Sequence, residues 1–365
     1  MLNFAVGRFS MPTLLLCALL GAAAGCSSPT ASGGGTEPPP TGGGGTTPTP
    51  DPLRTLADRH SIRFGAAVGR LFPDDARFTA VLEREFSMLT PENDLKFDAT
   101  EPARGQYRFT RADAMLDFAS SKGMTVRGHT LVWHNQLPAW LTSGSWTRDE
   151  AREIMENHIA ALVGHYKGQF AAWDVVNEAI DDGGAPRTGF WLNTIGPDYI
   201  ELAFRAARAA DPGAALYYND YSLEYGGAKS DAVYQLLSDL KGRGVPIDGI
   251  GFQAHFEAGK LPSLETMKSV FARFAGLGLK IQITELDIRV PMPATAASLQ
   301  TQAADYRTVV TACRDTPACN AIVTWGVTDA DSWVPTTFPG FGAPLLFDAA
   351  YAPKPAYTAV AEALK

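Results

Sequence analysis

Two glutamates, Glu178 and Glu285, each close a short run of β-branched and aromatic residues, where a carboxyl would stand at the end of a buried strand. Two carboxyls on different strands suit hydrolysis of a glycosidic bond. One gives a proton to the leaving oxygen while the other, ionised, attacks the sugar or activates water. Taken singly, either glutamate reads at least as well as a helix cap or an arginine partner. The other strand ends change that balance, because they carry Glu92, Asn93, Lys96, His129, Trp133, His134, Asn177, Asn219, Asp220, Tyr221, Gln253, His255, Asp287, Trp325, Asp329 and Trp333. Amides, charges and imidazoles read ring hydroxyls, and indoles and a phenol offer flat apolar faces.

Something must hold these residues on one rim. Short apolar runs at residues 64–68, 86–89, 126–132, 172–176, 215–218, 249–252, 281–284 and 321–325 predict eight buried strands. Between them lie helical patterns. The clearest opens on a capping box at Thr147 and Glu150, and carries Met155, Ile159, Leu162, Val163 and Tyr166 on one side before Gly168. Residues 199–210, closed by Asp211, Pro212 and Gly213, and residues 230–241 form two more. Eight such units predict an α/β fold, a single (β/α)8 TIM barrel, whose chemistry belongs at the carboxyl ends of the strands. A doubly wound open sheet is the alternative, weakened because no Gly-x-Gly-x-x-Gly or phosphate loop follows the first strand.

Seven segments in chain order now carry a family resemblance: TPENDLK at 90–96, RGHTLVWH at 127–134, WDVVNE at 173–178, NDY at 219–221, GFQAH at 251–255, ITELD at 283–287 and TWGVTDADSW at 324–333. With LFD at 346–348 and PKPAY at 353–357, they resemble the family-ten glycoside hydrolases, the retaining endo-1,4-β-xylanases. The resemblance implies Glu178 as acid/base and Glu285 as nucleophile, with carboxyls about 5 to 5.5 Å apart. It implies Asn177 on the 2-hydroxyl, His255 as partner of Glu285, and Gln253 near the same sugar. Glu92, Asn93, Lys96, His129 and Trp133 match the glycone-binding set, Trp325 and Trp333 the aromatic walls, and Tyr221 a leaving-group platform. Ser222 and Phe97 stand where many members carry Asn and Trp. The segment 334–341 varies among members and is expected to shape the glycone end. The same mechanism on another β-1,4-glycan, or a catalytically silent carbohydrate-binding surface protein, are the competing readings; the presence of both glutamates disfavours the second.

The 365 residues carry 31 Lys plus Arg against 39 Asp plus Glu, a net charge of −8, without a basic cluster, so no nucleic-acid partner is expected. Residues 29–50 hold seven Gly and six Pro and read as a tether. Before it, Arg8 and the apolar run 14–25 read as a signal peptide, too short to span a membrane. The run ends on Ala-Ala-Gly ahead of Cys26, which resembles a bacterial lipobox. The expected organisation is a signal peptide at 1–25 with Cys26 acylated, a linker at 26–52 and a catalytic domain at 53–365. That places a monomer on the bacterial envelope, periplasmic or at the cell surface, with plain secretion as the alternative. Xylan or xylo-oligosaccharides are the expected substrate, with no cofactor and no metal. His129 and His134, five apart, would point to opposite faces of a regular strand, and His158 and His165 would lie on the surface or core edge of their helix. Cys313 and Cys319 enclose five residues and are expected to form a disulfide in an oxidising compartment.

Overall fold

Parallel strands buried on both faces need apolar side chains nearly throughout, and this demand accounts for the runs above. The computed structural model describes residues 51–365; the expected signal peptide, Cys26 and nearly all of the linker lie outside the described residues. Its strands are β1 (Arg63–Val68), β2 (Met88–Pro91), β3 (Thr125–Gly128), β4 (Ala172–Asn177), β5 (Ala215–Asp220), β6 (Gly249–Phe252), β7 (His255–Glu257), β8 (Lys280–Pro291), β9 (Cys319–Thr324) and β10 (Phe341–Gly342). Strands β1 to β6, β8 and β9 pair in parallel, each with the next. The ring closes where β9 returns to β1, with Thr324 opposite Ala66. This is the (β/α)8 barrel, and the β9–β1 ladder rules out the open sheet.

Large and small side chains alternate inside the barrel. A Cβ on Gly128 would lie 2.2 Å from the Trp173 ring, and one on Gly249 would lie 2.2 Å from the Tyr217 ring, so both places need glycine for room. Beside them runs a buried polar network. Arg127 forms a paired salt bridge with Asp174 and donates to Gln282 Oε1 at 2.9 Å, and Gln282 donates to the Tyr217 hydroxyl at 3.0 Å. A buried ion pair is tolerable only when such further bonds satisfy its remaining donors and acceptors.

Helices cover the outside. Arg148–His165 opens on the expected capping box, with the Thr147 side chain taking the Glu150 N–H and the Glu150 carboxylate taking the Thr147 N–H at 2.8 Å. Its apolar stripe is buried, Met155, Ile159, Leu162 and Val163 included. Tyr199–Ala210 matches the predicted helix, and Gly227–Gly242 starts three residues before its prediction.

Two strands and one histidine depart from the sequence reading. β3 stops at Gly128 rather than 132; beyond it Leu131 and Val132 still donate to Asp174 O and Val175 O, and an isolated bridge joins Val132 to Val176. β8 runs on to Pro291 instead of ending near 284, because β7 and β10 offer it new partners beyond the barrel. His158 is buried, not at an edge. It stacks on Phe97 with ring centroids 3.6 Å apart and sits 3.0 Å from Glu101 Oε2. Phe97 therefore belongs to the core behind the rim.

A disulfide joins Cys313, at the end of the helix Ala296–Arg314, to Cys319 at the start of β9. Closing so short a loop should contribute about 2 kcal/mol in the chain-entropy picture. The double variant Cys313→Ala/Cys319→Ala is expected to melt a few degrees lower by calorimetry, with unchanged turnover. Loss of activity in a folded double variant would show that the bond shapes the site.

Candidate active site

The carboxyl ends of the strands surround a cleft of about 670 Å³. Its lining brings together Glu178, Glu285 and each substrate-binding residue inferred above: Glu92, Asn93, Lys96, His129, Trp133, Asn177, Tyr221, Gln253, His255, Trp325 and Trp333.

Both glutamates stand where a strand leaves regular geometry. The register shift of β4 between Asp174 and Val176 precedes Asn177, and Glu178 then takes φ 57°, with its N–H bonded to Asn219 O at 2.9 Å. Along β8 the ladder to β9 slips between Ile283 and Leu286, bracketing Glu285. Such irregularities re-aim side chains that a strict pleat would send elsewhere.

Glu178 is held by one donor per oxygen. Gln253 Nε2 reaches Oε1 at 2.9 Å and Trp133 Nε1 reaches Oε2 at 2.8 Å. Trp133 in turn lies under the Lys96 ammonium, 5.1 Å from its ring centroid, and Lys96 donates to Asn93 Oδ1 at 2.9 Å. Burial lowers the Lys96 pKa against the pull of Glu285 and Glu92, and burial also raises that of Glu92, with Asp331 adding to the rise.

Glu285 is 4 % exposed, yet strongly acidic. Burial alone would raise its pKa, but the charge of His129, the bond and charge of His255, and a bond from Asn219 outweigh it and hold the carboxyl at about 2. His255 Nε2 lies 3.1 Å from Glu285 Oε2, and its Nδ1 lies 3.0 Å from Asp287 Oδ1. Burial disfavours the imidazolium, but these two carboxylates prevail and raise His255 to about 10. Asn219 donates 2.7 Å to Glu285 Oε1 and 2.9 Å to Asn177 Oδ1, while the Thr284 hydroxyl donates to Asn219 Oδ1 at 2.7 Å.

His129 and His134 both lie beyond the regular part of β3, so strand alternation does not apply to them; His129 lines the cleft. His129 Nδ1 is 2.9 Å from Asp174 Oδ2 and 3.9 Å from Glu285 Oε1, and His134 Nδ1 is 3.9 Å from Glu178 Oε2. Tyr221 gives its hydroxyl proton to Asp182 at 2.5 Å and accepts from Arg187 at 2.8 Å, with the Lys229 ammonium 3.1 Å from its ring centroid. Asp329 is not in the cleft. It pairs with Lys354 at 2.9 Å behind the rim.

The cleft also takes in Asn135, Gln136, Ser222, Arg289, Thr337 and Phe338. Ser222 and the 334–341 segment holding Thr337 and Phe338 are named above; Asn135 and Gln136 directly follow the motif ending at His134, whereas Arg289 enters only because β8 runs on past Thr284. Asp287, already placed on the rim by the sequence, anchors His255 and takes the Trp333 indole N–H at 2.6 Å, contacts that only the fold reveals.

The model of glycosyl hydrolase family 10 matches residues 52–363. The chain belongs to this family. An endo-1,4-β-xylanase B of Thermotoga neapolitana is 46 % identical to this family 10 chain over 318 residues, 86 % of it and 92 % of the relative. The structure of native xylanase 10B from Thermotoga maritima superposes with a TM-score of 0.84 at 47 % identity, covering 86 % of this chain and 98 % of that one. Xylanase 10B from Thermotoga petrophila, solved in complex with xylobiose, gives the same score and identity, covering 86 % and 97 %.

In this family 10 enzyme, His255→Gln removes the cation beside Glu285. The carboxyl then binds a proton at higher pH, so the acidic limb of kcat/KM is expected to move up by on the order of one pH unit. A pH–rate profile with an unmoved acidic limb would show that the His255 charge does not hold Glu285 ionised.

Proposed function

We propose that this protein is a retaining endo-1,4-β-xylanase, with Glu285 as nucleophile and Glu178 as acid/base. The observation that carries this reading is the contrast between the two carboxyls in one cleft. Glu285 is held as an anion by His129, His255 and Asn219, whereas Glu178 is oriented by an amide and an indole, both neutral. The anion suits attack on the anomeric carbon, and the second carboxyl gives its proton to the bridging oxygen as that bond breaks. Forming the glycosyl ester removes the charge of Glu285. Glu178, now deprotonated and relieved of a neighbouring anion, takes a proton from the water that attacks the ester. Asn177, within reach of both Asn219 and Gln253, is placed to bind the 2-hydroxyl, a contact that tightens in the oxocarbenium-like transition state.

Xylan or xylo-oligosaccharide is the proposed substrate, supported by the identities of the relatives and by the xylobiose complex of a close structural neighbour. Residues 53–365 would be the catalytic domain, tethered through 26–52 to a lipid on Cys26 of the bacterial envelope; the lipobox-like segment and the Gly/Pro tether in the sequence support this arrangement.

Glu285→Ala should abolish turnover of every xyloside. Glu178→Ala should keep the first step on activated aryl xylosides, which need no proton, and lose it on xylan; equal losses on both in single-turnover assays would remove the acid/base assignment. Early product examined by proton NMR should be the β anomer, since an α product would mean inversion. The anchor is tested separately: Cys26→Ala should move the protein from the membrane fraction to the soluble one, and unchanged fractionation would exclude acylation as the tether.

A further inference from the structure

Gln253 and His255, which hold Glu178 and Glu285, flank a single residue at a break in the sheet. β6 ends at Phe252 and β7 begins at His255. The Gln253 N–H still finds β5, donating to Asp220 O at 3.1 Å, but β5 ends at that residue. The next N–H, that of Ala254, has no ladder carbonyl to meet. Ala254 also takes φ 59°, a left-handed conformation that a residue with a Cβ keeps only when its surroundings enforce it.

Glu224 supplies the missing acceptor. It lies in the 3-10 turn Leu223–Tyr225, just after the platform residue Tyr221, and its Oε1 takes the Ala254 N–H at 2.8 Å. The side chain is 1 % exposed, and its Oε2 has no hydrogen-bond partner among the described residues. Burial raises its pKa to about 7 against its own backbone N–H, that of Ala254, and the charges of His255 and Lys229. A carboxyl kept at such a desolvation cost contributes little to packing that an apolar side chain would not contribute better.

We propose that Glu224 is a positioning residue for the reaction: by holding the Ala254 N–H, it fixes the turn from which Gln253 and His255 reach the two catalytic glutamates. This rests on the roles assigned to Glu178 and Glu285 above. One hydrogen bond thereby sets both clamps at once. A displaced Ala254 would draw Gln253 from Glu178 and His255 from Glu285 together, and a shift of about 1 Å in reacting groups can cost on the order of a hundredfold in rate. Glu285 would then be left with His129, Lys96 and Asn219 as its remaining stabilisers, facing Glu178.

Three variants assayed on 4-nitrophenyl β-xylobioside and on xylan separate the acceptor from the charge. Glu224→Gln keeps a carbonyl acceptor at the same reach without the charge, Glu224→Asp keeps the charge on a shorter arm, and Glu224→Ala keeps neither. Gln should stay within about threefold of the wild-type kcat. Asp and Ala should lose roughly ten- to a hundredfold in kcat with KM nearly unchanged, and their acidic limb should move to higher pH as His255 loosens from Glu285. Wild-type kcat and pH profile in Glu224→Ala would overturn the proposal. So would a Gln variant that loses as much as Asp, since the charge or the exact packing would then matter rather than the acceptor. Should Ala fail to fold, Gln against Asp carries the comparison. Failure of the underlying roles would show instead in the Glu285 and Glu178 variants, whatever Glu224 does.

Discussion

An anion must be kept inside the protein. Glu285 is nearly shielded from water, and an ion moved there without compensation costs several kcal/mol. Each group that compensates it brings a requirement of its own. Asp287 is, with Glu285 itself, what keeps His255 a cation, and Asp287 also accepts the Trp333 indole, so the charge on Glu285 and the position of Trp333 share one carboxylate. His129 leans on Asp174, which Arg127 binds from within the barrel, and Asn219 is oriented by Thr284. The polar network inside the barrel and the rim above it are thus one continuous chain of charges and hydrogen bonds. Neutralising any link leaves a buried charge facing an unpaired partner, which is where such networks are most costly.

Regular strands would not place these groups. Side chains alternate strictly along a pleat, while the cleft needs neighbours such as Asn177 and Glu178 on the same side. The shift in β4, the slip in β8 and the left-handed conformations of Glu178 and Ala254 break the alternation at the points where function demands it. Below them, where the β8–β9 ladder slips once more between Ile281 and Gln282, the packed interior of Trp173, Tyr217 and the glycines opposite them offsets these departures.

The strands were legible because burial on both faces writes an apolar run into the chain, and the rim residues because a motif follows each run. The ends of β3 and β8 were not. After Gly128 the apolar run resumes at Leu131 and Val132 although the regular strand has stopped, and after Thr284 polar and apolar residues alternate although the strand continues. Arg127 and Asp174 left a visible trace, charged residues inside otherwise apolar runs, but their partnership across β3 and β4 belongs to the fold. Glu224 left none. Its sequence neighbours describe a polar loop, and its partner Ala254 lies thirty residues away, at a break that only the structure reveals. The burial of His158 is hidden in the same way, since its seven-residue spacing from His165 does not reveal that Phe97 and Glu101 arrive from another segment to pack against it.

Closure of the ring has a consequence for timing. Residues 63–66 find their second neighbour only in residues 321–324, so the first strand of the barrel waits for the last. On a ribosome, no partial chain ending before residue 321 can complete the cylinder, and neither Trp325 nor Trp333 is yet present to wall the cleft. Pairings between such distant segments are also slow to form, because the intervening chain must first be brought into place. A complete cleft is therefore available only to a chain that includes the final strand, instead of accumulating as the chain grows.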